Sequence, residues 1–128
     1  MNWLNEPKAL PNQFVLVGNH LSWADPILVS TKIPAHFVTS HQVRQQIGIG
    51  WIARLSGCFF VSRRLSSLKR ELDMMSASMG WKKRLGFYPE ATTGDGRFML
   101  PFKNALLEIA MQEELPIVPV CTSYLEVD

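Results

Sequence analysis

The stretch F-V-L-V-G-N-H-L-S-W-A-D, from Phe14 to Asp25, decides the fold of this 128-residue chain. Its first four residues are apolar and include two valines, which is typical of a short strand buried on both faces. Polar residues follow at once. Ser22 and Asp25 have the spacing of a capping box, which predicts a helix from about Trp23 to Lys32. A buried strand that leads directly into a helix is typical of an α/β domain.

The same alternation of short apolar runs and helical segments continues along the chain. Apolar residues recur on one helical face from Ser66 to Met79, with Gly80 as the expected C-cap, and again from Lys103 to Glu113. The pattern predicts one α/β domain, residues 1–128, with a largely parallel central sheet flanked by helices. Ligands of such sheets bind beyond the carboxyl ends of the strands. The predicted strands are Phe14–Val17, His36–Thr39, Cys58–Val61, Leu85–Tyr88 and Ile117–Val120. Each is short and apolar, as expected of a strand buried on both faces.

The composition excludes several classes of protein. Apolar residues make up 47% of the chain and charged residues 19%, which excludes a disordered protein. The net charge of +2 is too small to indicate a nucleic-acid partner. No apolar run reaches the roughly 18 residues of a membrane span, and we expect no signal peptide. Cys58 and Cys121 lack the spacing of a zinc site or a disulfide framework, so we expect two buried thiols and no metal.

His20 and Asp25 could form a general base and its orienting carboxylate. Four residues separate them, at the point where the first strand leads into the first helix. A carboxylate bonded to one imidazole nitrogen fixes the tautomer and leaves the other nitrogen to act as a base. The alternative is structural: Asp25 caps the helix and His20 bonds a backbone carbonyl. His36 and His41 are interpreted as structural.

Two further segments place polar residues directly after predicted strands. Arg63 and Arg64 end the segment G-C-F-F-V-S-R-R, and a planar guanidinium binds phosphate with two hydrogen bonds. The alternative is a pair of exposed charges on a loop. The segment Y-P-E-A-T-T-G-D-G predicts a turn-rich loop. The hydroxyls of Thr92 and Thr93 and the loop amides either bind phosphate or hold the loop.

Taken in order, four segments within residues 19–120 resemble the motif series of the glycerolipid acyltransferases, the family that includes the enzymes acylating 1-acylglycerol-3-phosphate. The segments are N-H-L-S-W-A-D, G-C-F-F-V-S-R-R, Y-P-E-A-T-T-G-D-G and L-P-I-V-P-V. The resemblance implies a glycerol-3-phosphate (1)-acyltransferase-like fold, with His20 as the general base and Asp25 as its partner. It places Pro119 beside the pocket. The residues that it implies for substrate binding are Arg63, Glu90, Ala91, Thr92 and Thr93.

The reaction implied by this resemblance is direct transfer of a fatty acyl group to the hydroxyl of a lysolipid, in phospholipid biosynthesis. The donor would be acyl-CoA or acyl-ACP (acyl carrier protein), with no metal and no other cofactor. Because the acceptor is a lipid, we expect the chain to work at a membrane surface, on the cytoplasmic face of a bacterial inner membrane.

The chain departs from the family pattern at two positions. Ala91 stands where the family usually has Gly, and Thr93 where it usually has Arg. Loss of that Arg removes a strong phosphate ligand, so a different lysolipid, such as lyso-ornithine lipid, is an alternative acceptor. Family members are usually longer, so we expect a partial domain. A catalytically idle lipid-binding module and a hydrolase that activates water remain alternative functions.

Overall fold

The described residues form one parallel sheet with helices on both faces. The computed structural model describes residues 2–40, 45, 47–48, 50–51, 58–61, 64–79 and 84–125. The strands are β1 (Phe14–Gly18), β2 (His36–Ser40), β3 (Phe59–Val61), β4 (Arg84–Phe87) and β5 (Ile117–Val120). The helices with described bounds are α1 (Asp25–Ser30), α2 (Leu65–Met79) and α3 (Ala105–Gln112). The predicted strands and helices are therefore confirmed, with small differences at their ends.

The strands lie in the order β3-β2-β4-β1-β5, and every neighbouring pair is parallel. This arrangement confirms the predicted α/β class. It places β1 between β4 and β5, with Val17 opposite both Phe87 and Pro119. The loops that follow these three strands therefore all leave the sheet at the carboxyl end of the strands.

The core lies in two layers, because successive side chains of a strand point to opposite faces of the sheet. Phe14 and Leu16 pack in one cluster with Val29 of α1 on one face, whereas Val15 packs with Ala110 of α3 on the other. α2 joins α3 on that second face, where it covers β2, β3 and β4. The buried side chains of this cluster are Val38, Val61, Leu68, Leu72, Leu85 and Ile109.

Helix α1 begins at Asp25 and not at about Trp23, because the predicted capping box is only half formed. Asp25 accepts a hydrogen bond from the Ser22 backbone N–H at 2.8 Å, as a capping box requires. The Ser22 hydroxyl, however, accepts from the N–H of Ala24 at 3.2 Å. Residues 23–24 consequently form a turn, and Ala24 is the N-cap without a side-chain cap.

Burial of the last strand and of one cysteine was predicted wrongly. β5 lies at the edge of the sheet, where Ile117 is exposed, and Cys121 directly after it is exposed as well. Cys58 is half-buried and packs against the core on the α1 face. Burial raises the pKa of its thiol to about 11. Predictions made for Gly80, His41 and Arg63 lie outside the described residues.

Gly86 of β4 provides the space for a core aromatic ring. A Cβ atom at this position would lie 2.8 Å from Cε1 of Phe37 and 3.0 Å from two further atoms of the same ring. Phe37 is buried and lies nearly parallel to the ring of Tyr88 at 5.4 Å, so the ring has little room to move. Any larger residue at position 86 must displace this stack.

We expect the substitution Gly86→Ala to lower the free energy of unfolding by about 1–3 kcal/mol, because overpacking a filled core forces side chains out of place. Urea unfolding measures the change. Gly94→Ala is the matched control, since the nearest atom to an added Cβ there lies at 3.9 Å. Equal stability of the two variants would contradict the packing argument.

Candidate active site

Two loops meet at the carboxyl edge of the sheet because β1 and β4 are parallel neighbours. The backbone N–H of His20 donates to Oε1 of Glu90 at 3.2 Å, and the His20 carbonyl accepts from the N–H of Gly94 at 2.9 Å. The segments that follow β1 and β4 are therefore hydrogen-bonded to each other. This contact places His20 beside the loop that follows β4.

His20 and Asp25 form a hydrogen-bonded pair. Nδ1 of His20 lies 3.1 Å from Oδ2 of Asp25, and the Asp25 side chain is 0% exposed. Oδ2 also accepts the backbone N–H groups of Leu21 at 2.7 Å and Ser22 at 2.8 Å. The Asp25 carboxylate thus orders the backbone before α1 and also contacts the imidazole, although α1 itself has no side-chain cap. The role of His20 as a general base stays a prediction.

The His20 ring is held from its face by an aromatic neighbour. Tyr88 stacks on it with the ring centres 4.2 Å apart and the planes 10° from parallel. Burial and the charge of Asp25 raise the pKa of Tyr88 well above its ordinary value. The His20 side chain is 18% exposed. With Nδ1 bonded to a carboxylate, Nε2 is the nitrogen that can exchange a proton with a ligand.

Glu90 holds the loop that follows β4. It is buried, and its two oxygens accept the backbone N–H groups of His20 and of Leu100, the latter at 2.9 Å. The N–H of Lys103 donates to the Pro89 carbonyl at 2.7 Å and fastens the far end of the loop. A direct contact of Glu90 with the acceptor stays a prediction.

The remaining residues predicted to bind substrate divide into two groups. Ala91, Thr92 and Thr93 are exposed on the loop beside His20, where a ligand can reach them. Pro119 lies in β5 opposite Val17 and is exposed. Arg63 lies outside the described residues. The structure therefore brings the loop residues to the His20 edge, and their contact with substrate stays a prediction.

Two contacts at this edge come from the segment after β5, which the sequence did not single out. The Asn19 amide brackets Thr122: Nδ2 donates to its carbonyl at 2.8 Å, and Oδ1 accepts its N–H at 2.7 Å. The hydroxyl of Tyr124 donates to Oδ1 of Asp25. The strand order explains why this segment lies here, because β5 is parallel to β1 and the segments that follow both strands leave the sheet at the same end.

No group of three or more His, Cys, Asp or Glu side chains in the described part of the chain could hold a metal ion. Nor does any helix among the residues described here combine the length and the apolar character needed to cross a bilayer.

Comparisons with known proteins agree on one family. A family model described as acyltransferase matches residues 4–123. The 1-acyl-sn-glycerol-3-phosphate acyltransferase of Neisseria gonorrhoeae is 26% identical over 118 residues, which are 89% of this chain and 45% of that protein. The lyso-ornithine lipid O-acyltransferase of Pseudomonas aeruginosa is 29% identical over 115 residues, again 89% of this chain and 45% of the relative.

A human relative, 1-acyl-sn-glycerol-3-phosphate acyltransferase beta, is 31% identical over 113 residues, which are 85% of this chain and 41% of that protein. The chain thus spans less than half the length of these curated relatives. No solved structure matches it.

The backbone of Ala91 is strained, with a φ of +61°. An L-residue with a side chain pays about 1–2 kcal/mol in this left-handed region, whereas glycine does not. Ala91 follows a turn closed by its own N–H, which donates to the Tyr88 carbonyl at 3.0 Å. The turn therefore favours glycine at position 91, where the glycerolipid acyltransferase motif usually has glycine.

We expect Ala91→Gly to raise the free energy of unfolding by about 1 kcal/mol, because it removes this strain. Thermal or urea unfolding checks the prediction. The control is Ala24→Gly, at a residue with an ordinary φ of −80°, where glycine should give no gain. If Ala91→Gly lowers the free energy of unfolding by as much as Ala24→Gly does, the strain argument is wrong.

Proposed function

The chain belongs to the acyltransferase family, and we propose that it transfers a fatty acyl group from a thioester to the hydroxyl of a lysolipid. The observation that carries the proposal is the hydrogen bond between His20 Nδ1 and the buried Asp25 carboxylate, at the edge where two loops meet. A base fixed in this way, beside an exposed loop, suits removal of a proton from an acceptor hydroxyl.

In the proposed reaction, Nε2 of His20 takes the proton of the acceptor hydroxyl while the oxygen of that hydroxyl attacks the thioester carbonyl. Asp25 stabilises the imidazolium that forms, because its negative charge lies against Nδ1. The tetrahedral intermediate then expels the thiolate, which takes up the proton from the imidazolium. A new ester and a free thiol result, and His20 returns to its starting state.

We propose 1-acylglycerol-3-phosphate as the acceptor class, which would place the reaction in phospholipid biosynthesis. The names of the relatives from Neisseria gonorrhoeae and human support it. Lyso-ornithine lipid is the second candidate. It is favoured by Thr93, which stands where the resembling motif usually has Arg, and by relatives such as the Pseudomonas aeruginosa protein.

We propose acyl-CoA or acyl carrier protein as the donor and the cytoplasmic face of a bacterial inner membrane as the place of reaction. Exposed apolar side chains beside the site support contact with a lipid surface. Phe98 and Met99 are largely exposed, directly before Leu100, whose N–H bonds to Glu90. An apolar tip on a loop anchored at the site would bring a bilayer close to His20.

The substitution His20→Ala is expected to lower the rate of acyl transfer about 10²- to 10⁴-fold, because the general base is lost. The measurement is transfer from a labelled acyl-CoA or acyl carrier protein to lysophosphatidate and to lyso-ornithine lipid. His36→Ala is the matched control. His36 is the first residue of β2, so it lies at the amino end of the strands, away from His20, and its ring is near Phe59. Removal of the His36 imidazole should therefore leave the rate of acyl transfer unchanged.

Equal rates for His20→Ala and the unchanged chain would contradict the proposal. Release of free fatty acid without an acylated lipid would instead identify a hydrolase. Lysolipid binding without any transfer, unaffected by His20→Ala, would identify an idle binding module.

We expect Thr93→Arg to raise kcat/KM for lysophosphatidate relative to lyso-ornithine lipid by about tenfold, the factor that one charge-assisted hydrogen bond supplies. Thr93 is exposed, so the longer side chain can be accommodated. Thr93→Gln controls for size without charge and should leave the preference unchanged. An unchanged preference in Thr93→Arg would remove this position from acceptor recognition.

A further inference from the structure

The Asp25 carboxylate has an uneven set of donors. The donors from its own segment all bond Oδ2: the His20 ring nitrogen and the backbone N–H groups of Leu21 and Ser22. Within the described part of the chain, Oδ1 has one donor, the hydroxyl of Tyr124. Because the side chain is 0% exposed, bulk water does not reach either oxygen.

We infer that Tyr124 is a positioning residue for the His20–Asp25 pair: its hydroxyl fixes the rotation of the Asp25 carboxylate and thereby keeps Oδ2 against Nδ1 of His20. The catalytic part of this inference rests on the proposed function. The part that concerns the position of the proton on the His20 ring is independent of the proposed function.

The fold delivers Tyr124 to this place through the pairing of β5 with β1. Val120, the last residue of β5, lies opposite Gly18, and the Asn19 side chain then binds both backbone groups of Thr122. These two hydrogen bonds continue the attachment beyond the end of the strands. Tyr124 follows two residues later, so its hydroxyl arrives at Asp25 from a fixed segment.

The torsion that turns a carboxylate about its Cβ–Cγ bond is soft, and either oxygen can take either place. Three donors on one oxygen exceed its two lone pairs, whereas a carboxylate offers about four acceptor sites in total. Without a donor on Oδ1, a small rotation would divide the three donors between the two oxygens. Such a rotation would draw the acceptor away from the His20 ring.

The other ionisable groups around the pair do not replace this contact. Tyr88 lies on the face of the His20 ring, and its hydroxyl is buried without a hydrogen-bond partner among the described residues. Glu90 is occupied by the backbone N–H groups of His20 and Leu100. Partial burial and the hydrogen bond to Asp25 raise the pKa of Tyr124 and outweigh the opposite effect of the Ser22 side chain, so the Tyr124 hydroxyl keeps the proton that it donates.

The test is Tyr124→Phe, which removes the hydroxyl and keeps a ring that is half-exposed in the folded chain. Nitrogen-15 NMR of labelled histidine reports the tautomer of His20. We expect the Nδ1–H form to dominate in the unchanged chain and to share the population with the Nε2–H form in Tyr124→Phe. In the transfer assay, kcat should fall about tenfold, the factor that one hydrogen bond to a charged group supplies, with KM unchanged.

Two controls separate this effect from a general disturbance. Leu125→Ala changes the neighbouring residue, which is 84% exposed, and should leave both the tautomer and kcat as they are. Adding Tyr124→Phe to Asp25→Asn should produce no further change in the tautomer, because Tyr124 acts through Asp25.

An unchanged His20 tautomer in Tyr124→Phe would overturn the inference, whatever happens to the rate. A further change in the Asp25→Asn background would overturn it as well. A changed tautomer in a chain that transfers no acyl group would uphold the positioning role and refute the proposed function, so the two failures are distinguishable.

Discussion

The fully buried charge of Asp25 is the constraint on which the arrangement of the site depends. A carboxylate removed from water is tolerated only when hydrogen bonds replace its hydration. Here the donors come from the loop after β1 and from the segment after β5, and His20 is one of them. Satisfying one charge therefore fixes the path of two chain segments and the orientation of an imidazole.

Much of the fold could be predicted because local signals and tertiary packing agree. Apolar runs gave the strands, and helical periodicity gave α2 and α3. The exceptions have physical causes. Ile117–Val120 has the composition of a buried strand, and composition alone does not distinguish a central strand from an edge strand. Ser22 and Asp25 have capping-box spacing, but the Ser22 hydroxyl accepts the N–H of Ala24 and not that of Asp25, so α1 begins later.

In the site, too, contacts between residues close in sequence could be predicted, whereas contacts between distant residues could not. His20 and Asp25 are close in sequence, so their pairing could be inferred from spacing and from the turn into a helix. Tyr124 is 99 positions from Asp25, and its contact depends on β5 lying beside β1, which the sequence pattern does not specify. The resemblance implied that Glu90 binds substrate, whereas its two backbone donors, His20 and Leu100, depend on contacts between segments that the sequence pattern does not specify.

The two hydrogen bonds between the Asn19 side chain and the Thr122 backbone also bear on the chemical stability of the folded chain. An asparagine amide can lose its nitrogen by slow hydrolysis and become a carboxylate. At this position the donor 2.8 Å from the Thr122 carbonyl would be replaced by an oxygen, so attraction would turn into repulsion. Deamidation of this one residue would weaken the attachment of the segment after β5, whereas the pairing of β5 with β1 would stay intact.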